Sequence, residues 1–229
     1  MAWPLPPQSQ DTIRLPSEPK EPTTLQKISK FRPVSVATAL ALTGVFAYEK
    51  SGKAAEVDCS NRFLPTMARD FIHQDTDHFA SNMLALLLVS NVEAAVGSVE
   101  FLAAMGSILL LSALLTMGLT KMFSLDCSIG FSGVLLGLMT FGLLVADSKT
   151  LNWSAVALLV LTSIAPLFTG NRGNVSVSGH LIGIAAGGLI GLAYRLVERI
   201  RGSDAANETD ANEQTEPIAM SKRRILQDY

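Results

Sequence analysis

The charged residues of this chain are segregated, and that segregation limits its possible folds more than any single motif does. They crowd before Phe31, between Glu49 and Asp77, and after Arg195, while long stretches between carry almost none. Six apolar segments result, near 33–48, 77–94, 101–119, 129–146, 152–168 and 177–197. A helical membrane span needs about 20 residues at a rise of about 1.5 Å each, so several of these are at the short end. In hydrocarbon the backbone has to satisfy its own hydrogen bonds, which makes each such segment a helix. With 48% hydrophobic residues, the chain is too apolar for an ordinary soluble domain of its size. The expected fold is all-α: a polytopic membrane protein with a six-transmembrane-helix bundle over residues 33–197.

The flanks read differently. Residues 1–32 contain Pro4, Pro6, Pro7, Pro16, Pro19 and Pro22, which cannot sustain a helix, and offer little apolar surface to offset ordering entropy. Residues 198–229 are acidic and polar, then basic at Lys222-Arg223-Arg224. Both are expected to be disordered cytosolic tails. Lys20, Lys27, Lys30 and Arg32 precede the first span and Arg195, Arg199 and Arg201 close the last, which favours a cytosolic position for both ends. Lys50, Lys53, Arg62 and Arg69 in the opposite loop pull the other way. No cleavable signal peptide is visible. The net charge of −2 is uninformative about nucleic acid, but the lack of a basic stripe with interleaved aromatics sets a nucleic-acid partner aside. Two cysteines are too few for a metal site, and no cofactor is expected.

Polar residues inside spans are costly and mark function. Segments two, four and six carry His78, Asn82, Ser132 and His180. In the expected orientation these polar groups share the non-cytosolic half of the bilayer. Serine is a weak nucleophile until a base takes its proton, so Ser132 needs an imidazole within hydrogen-bond reach. Segment six supplies His180 together with Gly179, Gly183, Gly187 and Gly191, and segment four supplies Gly133 and Gly137. Such small-residue faces let membrane helices approach closely. His180 is offset by 3 and 7 residues from Gly183 and Gly187, so all three lie along one helical face. His78 and Asn82 are four apart on another helix. They can donate to a developing oxyanion alongside the Ser132 backbone amide, or satisfy loop backbone at a helix end.

Three patterns stand in order: His78 to Asn82, Gly130-Phe131-Ser132-Gly133, and His180-Leu181-Ile182-Gly183 to Gly187. In this order, on spans two, four and six, they resemble the rhomboid intramembrane serine proteases over about residues 33–197. The resemblance implies a Ser–His dyad, with Ser132 as nucleophile and His180 as general base. It implies an oxyanion site at His78, Asn82 and the Ser132 amide, with Gly130, Gly133, Gly183 and Gly187 shaping the backbone around it. His73 matches a family histidine and is expected to be structural, bonding loop backbone. The implied substrates are transmembrane segments of other membrane proteins, met in the lipid bilayer and cut near their outer ends. The rivals are an inactive rhomboid-like protein that binds client transmembrane helices for trafficking or degradation, and a small channel or transporter.

The sequence departs from the family pattern in two places. Asn61-Arg62 stands where Trp-Arg is frequent, and Phe131 where alanine is common, the latter expected to alter the pocket beside the nucleophile. Glu93 lies in a short turn and reads equally as a solvated residue or as a tie between helix ends. Pro166 is expected to kink segment five. Cys59 and Cys127 fall in loops on the non-cytosolic side, where a disulfide is compatible with an oxidising compartment, with two free thiols as the alternative. Asn174-Val175-Ser176 is a glycosylation sequon in a non-cytosolic loop, close enough to His180 that a glycan there would obstruct the site.

Overall fold

The computed structural model describes residues 32–52, 56–123, 125, 127–146 and 176–225, with side chains to Ser203 in the last stretch. Every regular element among them is a helix: α1 Pro33–Lys50, α2 Phe63–Arg69, α3 Thr76–Val96, α4 Ser98–Phe123, α5 Ser132–Val145 and α6 Val177–Ile225. Five of the six apolar segments thus form helices, and the fifth, 152–168 with Pro166, lies outside the described residues. Thr76–Val96, Ser98–Phe123 and Val177–Ser203 are long and apolar enough to cross a membrane, and Ser132–Val145 is a shorter apolar helix.

Helix α5 is the hub. Eight of its fourteen residues are buried, among them Val134, Leu135, Leu138 and Phe141. Leu86, Val89 and Val92 of α3, Phe101 and Ile108 of α4, and Ala186 of α6 complete the core around it. The outer faces carry exposed leucines instead, including Leu40, Leu84, Leu87, Leu102, Leu110, Leu189 and Leu192. So many exposed large apolar side chains on one assembly suit a lipid surround rather than water. The all-helical fold and the apolar spans make this an integral membrane protein.

Glu93 resolves in favour of the tie. It is 2% exposed, and its carboxylate accepts from the Val34 N–H at 3.0 Å, the Ser35 N–H at 2.8 Å, the Ser35 hydroxyl at 2.6 Å and the Ser98 hydroxyl at 2.8 Å. The carboxylate therefore caps the positive end of α1 and joins α1, α3 and α4. Arg32 adds bonds to Ser90 Oγ at 2.7 Å and Asn91 Oδ1 at 3.0 Å.

Two boundaries differ from expectation. The fourth segment was expected from 129, but its helix begins at Ser132, because Gly130 takes a positive φ of 104° that no right-handed helix accommodates. The last helix does not stop at 197 but continues to Ile225. The stretch beyond Arg195 intersperses Ala, Glu and Arg with poorer helix formers, Gly202 and Pro217 among them, so its composition carries no clear helix signal. The short helix α2, inside the long loop after α1, was not anticipated.

Candidate active site

Ser132 is the first residue of α5. The opening N–H groups of a helix have no intrahelical acceptor, and they carry the positive end of its dipole. The residues before it set the geometry. A Cβ placed on Gly130 would lie 2.7 Å from His78 Nε2 and closer still to the ring carbon beside it, so glycine is required both by the backbone and by the approach of the imidazole. Phe131 is fully buried and packs on Phe71 with ring centroids 5.5 Å apart. It anchors the loop in the core and lines a cavity with Phe71, Met105 and Leu109. Its χ angles had no local sequence signal, since its partner lies 60 residues away.

His180 stands in the first turn of α6. The Ser176 carbonyl accepts from the His180 N–H at 3.1 Å, and the Ser176 hydroxyl accepts from the Gly179 N–H at 3.1 Å, which is an N-cap by a serine. His180 Nε2 lies 2.8 Å from Ser132 Oγ, within the range of a hydrogen bond. The glycine faces permit this. A Cβ on Gly133 would meet the Gly179 carbonyl oxygen at 2.9 Å, and one on Gly137 the Gly183 carbonyl oxygen at 2.7 Å. Reciprocally, Cβ atoms on Gly183 and Gly187 would collide with the backbone of Gly133 and Gly137. Helices α5 and α6 are in backbone contact along these steps, as the spacing had implied.

His78 and Asn82 flank the same loop from α3. Asp75 caps that helix, accepting from the His78 N–H at 2.8 Å, and this bond holds the Asp75 carboxyl below its usual range. One N–H of the Asn82 amide donates to the His78 carbonyl at 2.9 Å, leaving the second for another acceptor. Asn82 is 2% exposed, and its Oδ1 and the Nδ1 of His78 have no partner among the described residues. The backbone of Phe71 interacts with the His73 ring. The ring is held by edge contacts with His78 and Phe79, each at 5.4 Å. Burial first, then the neighbouring His78, lowers its pKa to about 4, so it is neutral at physiological pH. Its own N–H donates to Glu49 at 3.3 Å.

The sequence reading missed a small polar cavity of about 30 Å³ against the nucleophile loop, lined by Thr66, Arg69, Asp70, Ser112, Ser128 and Gly130 among others. That volume suits about one water molecule, and the buried Ser112 hydroxyl has no protein partner among the described residues. Burial, opposed by the neighbouring Arg69 charge, raises Asp70 to about 7. The structure also pairs Cys59 with Cys127 in a disulfide, which co-occurrence on one face had left open. Arg62, by contrast, pairs with Asp58 at 2.6 Å and donates to Ser60 Oγ at 2.9 Å on the surface, an exposed ion pair worth little. Asn174 of the sequon lies outside the described residues. No group of metal-ligating side chains gathers among the described residues.

The site therefore combines a serine hydroxyl at a helix N-terminus, an imidazole in hydrogen-bond contact with it, and an amide and second imidazole beside the loop. No curated protein matches the chain, whereas the family model of the rhomboid domain matches residues 62–196, more than half its length. The chain belongs to the rhomboid family.

Proposed function

We propose that this protein is an intramembrane serine endopeptidase that cleaves transmembrane segments of other membrane proteins. The observation that carries the reading is the 2.8 Å contact between His180 Nε2 and Ser132 Oγ, in a family whose members are in general intramembrane serine proteases. With Nε2 unprotonated, the Ser132 hydroxyl donates to it and passes its proton there as Oγ attacks the scissile carbonyl. The carbonyl oxygen gains negative charge and is met by the Ser132 N–H, Asn82 and His78. Protonated His180 then gives its proton to the departing amine, leaving an acyl group on Ser132. A water molecule, deprotonated by His180, releases that group and restores the hydroxyl. No carboxylate among the described residues hydrogen-bonds His180, which agrees with a dyad.

The depth of the site follows from the length of α5. Fourteen residues span about 21 Å, against about 30 Å of hydrocarbon. With its far end at the opposite interface, Ser132 lies below the membrane surface, where a helical substrate has to unwind to expose a peptide bond. In the proposed orientation both termini are cytosolic and the site opens to the non-cytosolic face. Reconstitution in lipid vesicles with a transmembrane substrate tests the reading. The parent protein cleaves, and the Ser132→Ala and His180→Ala variants, folded equally well, do not. Cleavage that survives either substitution overturns the dyad, and a parent protein that binds substrate without cutting it points to a helix-binding relative.

A further inference from the structure

The nucleophile loop is tied to one short segment, 59–69, at both of its ends. At one end the Arg69 carbonyl accepts from the Gly130 N–H at 3.0 Å. At the other, Cys127 is bonded to Cys59, and Arg69 Nη1 donates to Cys127 Sγ at 3.4 Å. The guanidinium is itself fixed, because Nη2 donates to Thr66 Oγ1 at 3.1 Å and the residue is 5% exposed. Segment 59–69 is anchored in turn to α4, where Asn61 Nδ2 donates to the Met117 carbonyl at 3.0 Å.

The Ser132–His180 contact does not need these ties, since the glycine steps of α5 and α6 already hold it. What the ties do set is the backbone of residues 127–131. That backbone carries Gly130 at its positive φ against the His78 ring and aims the first N–H groups of α5. We infer that the Cys59–Cys127 disulfide and Arg69 form a brace that positions the oxyanion side of the site, so that full activity requires the oxidised protein. Cys59, Cys127 and Arg69 are positioning residues here. The inference rests on the protease reading for its effect on rate, though not for its effect on the loop. Both cysteines are exposed, so an aqueous reductant reaches them. A phosphine reductant delivers two electrons and, with water, yields two thiols and the phosphine oxide.

The test uses the full chain in lipid vesicles, reduced and oxidised, beside a Cys59→Ser/Cys127→Ser variant. Active sites are titrated with a fluorophosphonate so that kcat is expressed per reactive serine. Reduction is expected to lower kcat by about 10-fold with KM within about 2-fold, the pattern of an interaction made in the transition state. Oxidised glutathione restores the parent but not the variant. Amide hydrogen exchange over residues 127–133 is expected to quicken about 10-fold on reduction, with the α5–α6 contact still protected. Unchanged exchange over that loop, or unchanged kcat per titrated serine, overturns the brace. An oxidised protein that cleaves nothing overturns the protease reading instead, and the exchange measurement still decides the brace.

Discussion

Replacing Gly183 by alanine adds one carbon atom at one of the two closest steps between α5 and α6. That Cβ would lie 2.6 Å from the Gly133 carbonyl carbon and 2.9 Å from its Cα, with the carbonyl oxygen nearer still. Ordinary carbon contacts are about 3.5–4.0 Å, and the obstacle is backbone, which cannot rotate away. The helices have to separate by about 1 Å. His180 is three residues from Gly183 on the same face, so the shift is felt at the 2.8 Å contact with Ser132 and stretches it to about 3.8 Å, beyond a hydrogen bond. A misplacement of about 1 Å at a reacting pair costs about 10²-fold in rate. Alanine is meanwhile the better helix former by about 1 kcal/mol, so lost helix cannot explain a lost rate. Gly188→Ala is the matched control, since its Cβ meets only Thr140 Cγ2 at 3.9 Å. Cleavage of a transmembrane substrate in vesicles, corrected for folded protein, should fall about 10²-fold for Gly183→Ala and by less than about 2-fold for Gly188→Ala. Equal rates for the two variants would refute the claim that backbone contact between α5 and α6 sets the dyad geometry.

Three further outcomes follow from other parts of the structure. Asn82→Ala should lower kcat by about 10²-fold or more, as expected for an oxyanion donor, with substrate binding preserved; a loss confined to KM would argue against that role. Glu93→Ala strands the Val34 and Ser35 N–H groups that the carboxylate now satisfies, and should cost about 3 kcal/mol of unfolding free energy in mixed micelles. Asp70 and His73 oppose each other in pH dependence. Burial raises Asp70 to about 7, so the folded state keeps a proton that the unfolded chain loses near 3.8. This contribution to stability is lost as pH rises through that interval. Burial and His78 lower His73 to about 4, so the folded state lacks a proton that the unfolded chain holds up to 6.5, and its contribution grows as pH rises. Between roughly pH 4 and 6.5 the two cancel. Thermal unfolding of Asp70→Asn should therefore show stability rising with pH across that window where the parent is nearly flat, and a flat variant would count against the pairing.

Much of the site was legible because it is written in short periods. His180, Gly183 and Gly187 recur at helical spacing, so their shared face and its close approach to Gly133 and Gly137 could be read directly. His78 and Asn82 are similarly one turn apart. What escaped depends on contacts between distant segments. Phe131 turns inward because Phe71 is there to receive it, His73 is packed against the rings of His78 and Phe79, and the Asp70 cavity forms only when α2, α4 and the nucleophile loop meet. The cysteines showed a shared face but no distance, and the pairing needed Cα atoms 5.6 Å apart. Beyond Arg195, polarity spoke against burial and was silent about helix, which is why α6 runs further than expected.

The central claim is that Ser132 is a nucleophile activated by His180. Exposure of the reconstituted protein to a fluorophosphonate, followed by mass mapping of the adduct, tests it without any substrate. The account predicts a single adduct on Ser132 in the parent protein and none in a folded His180→Ala variant. An adduct on another residue, or equal labelling of Ser132 without His180, would contradict it.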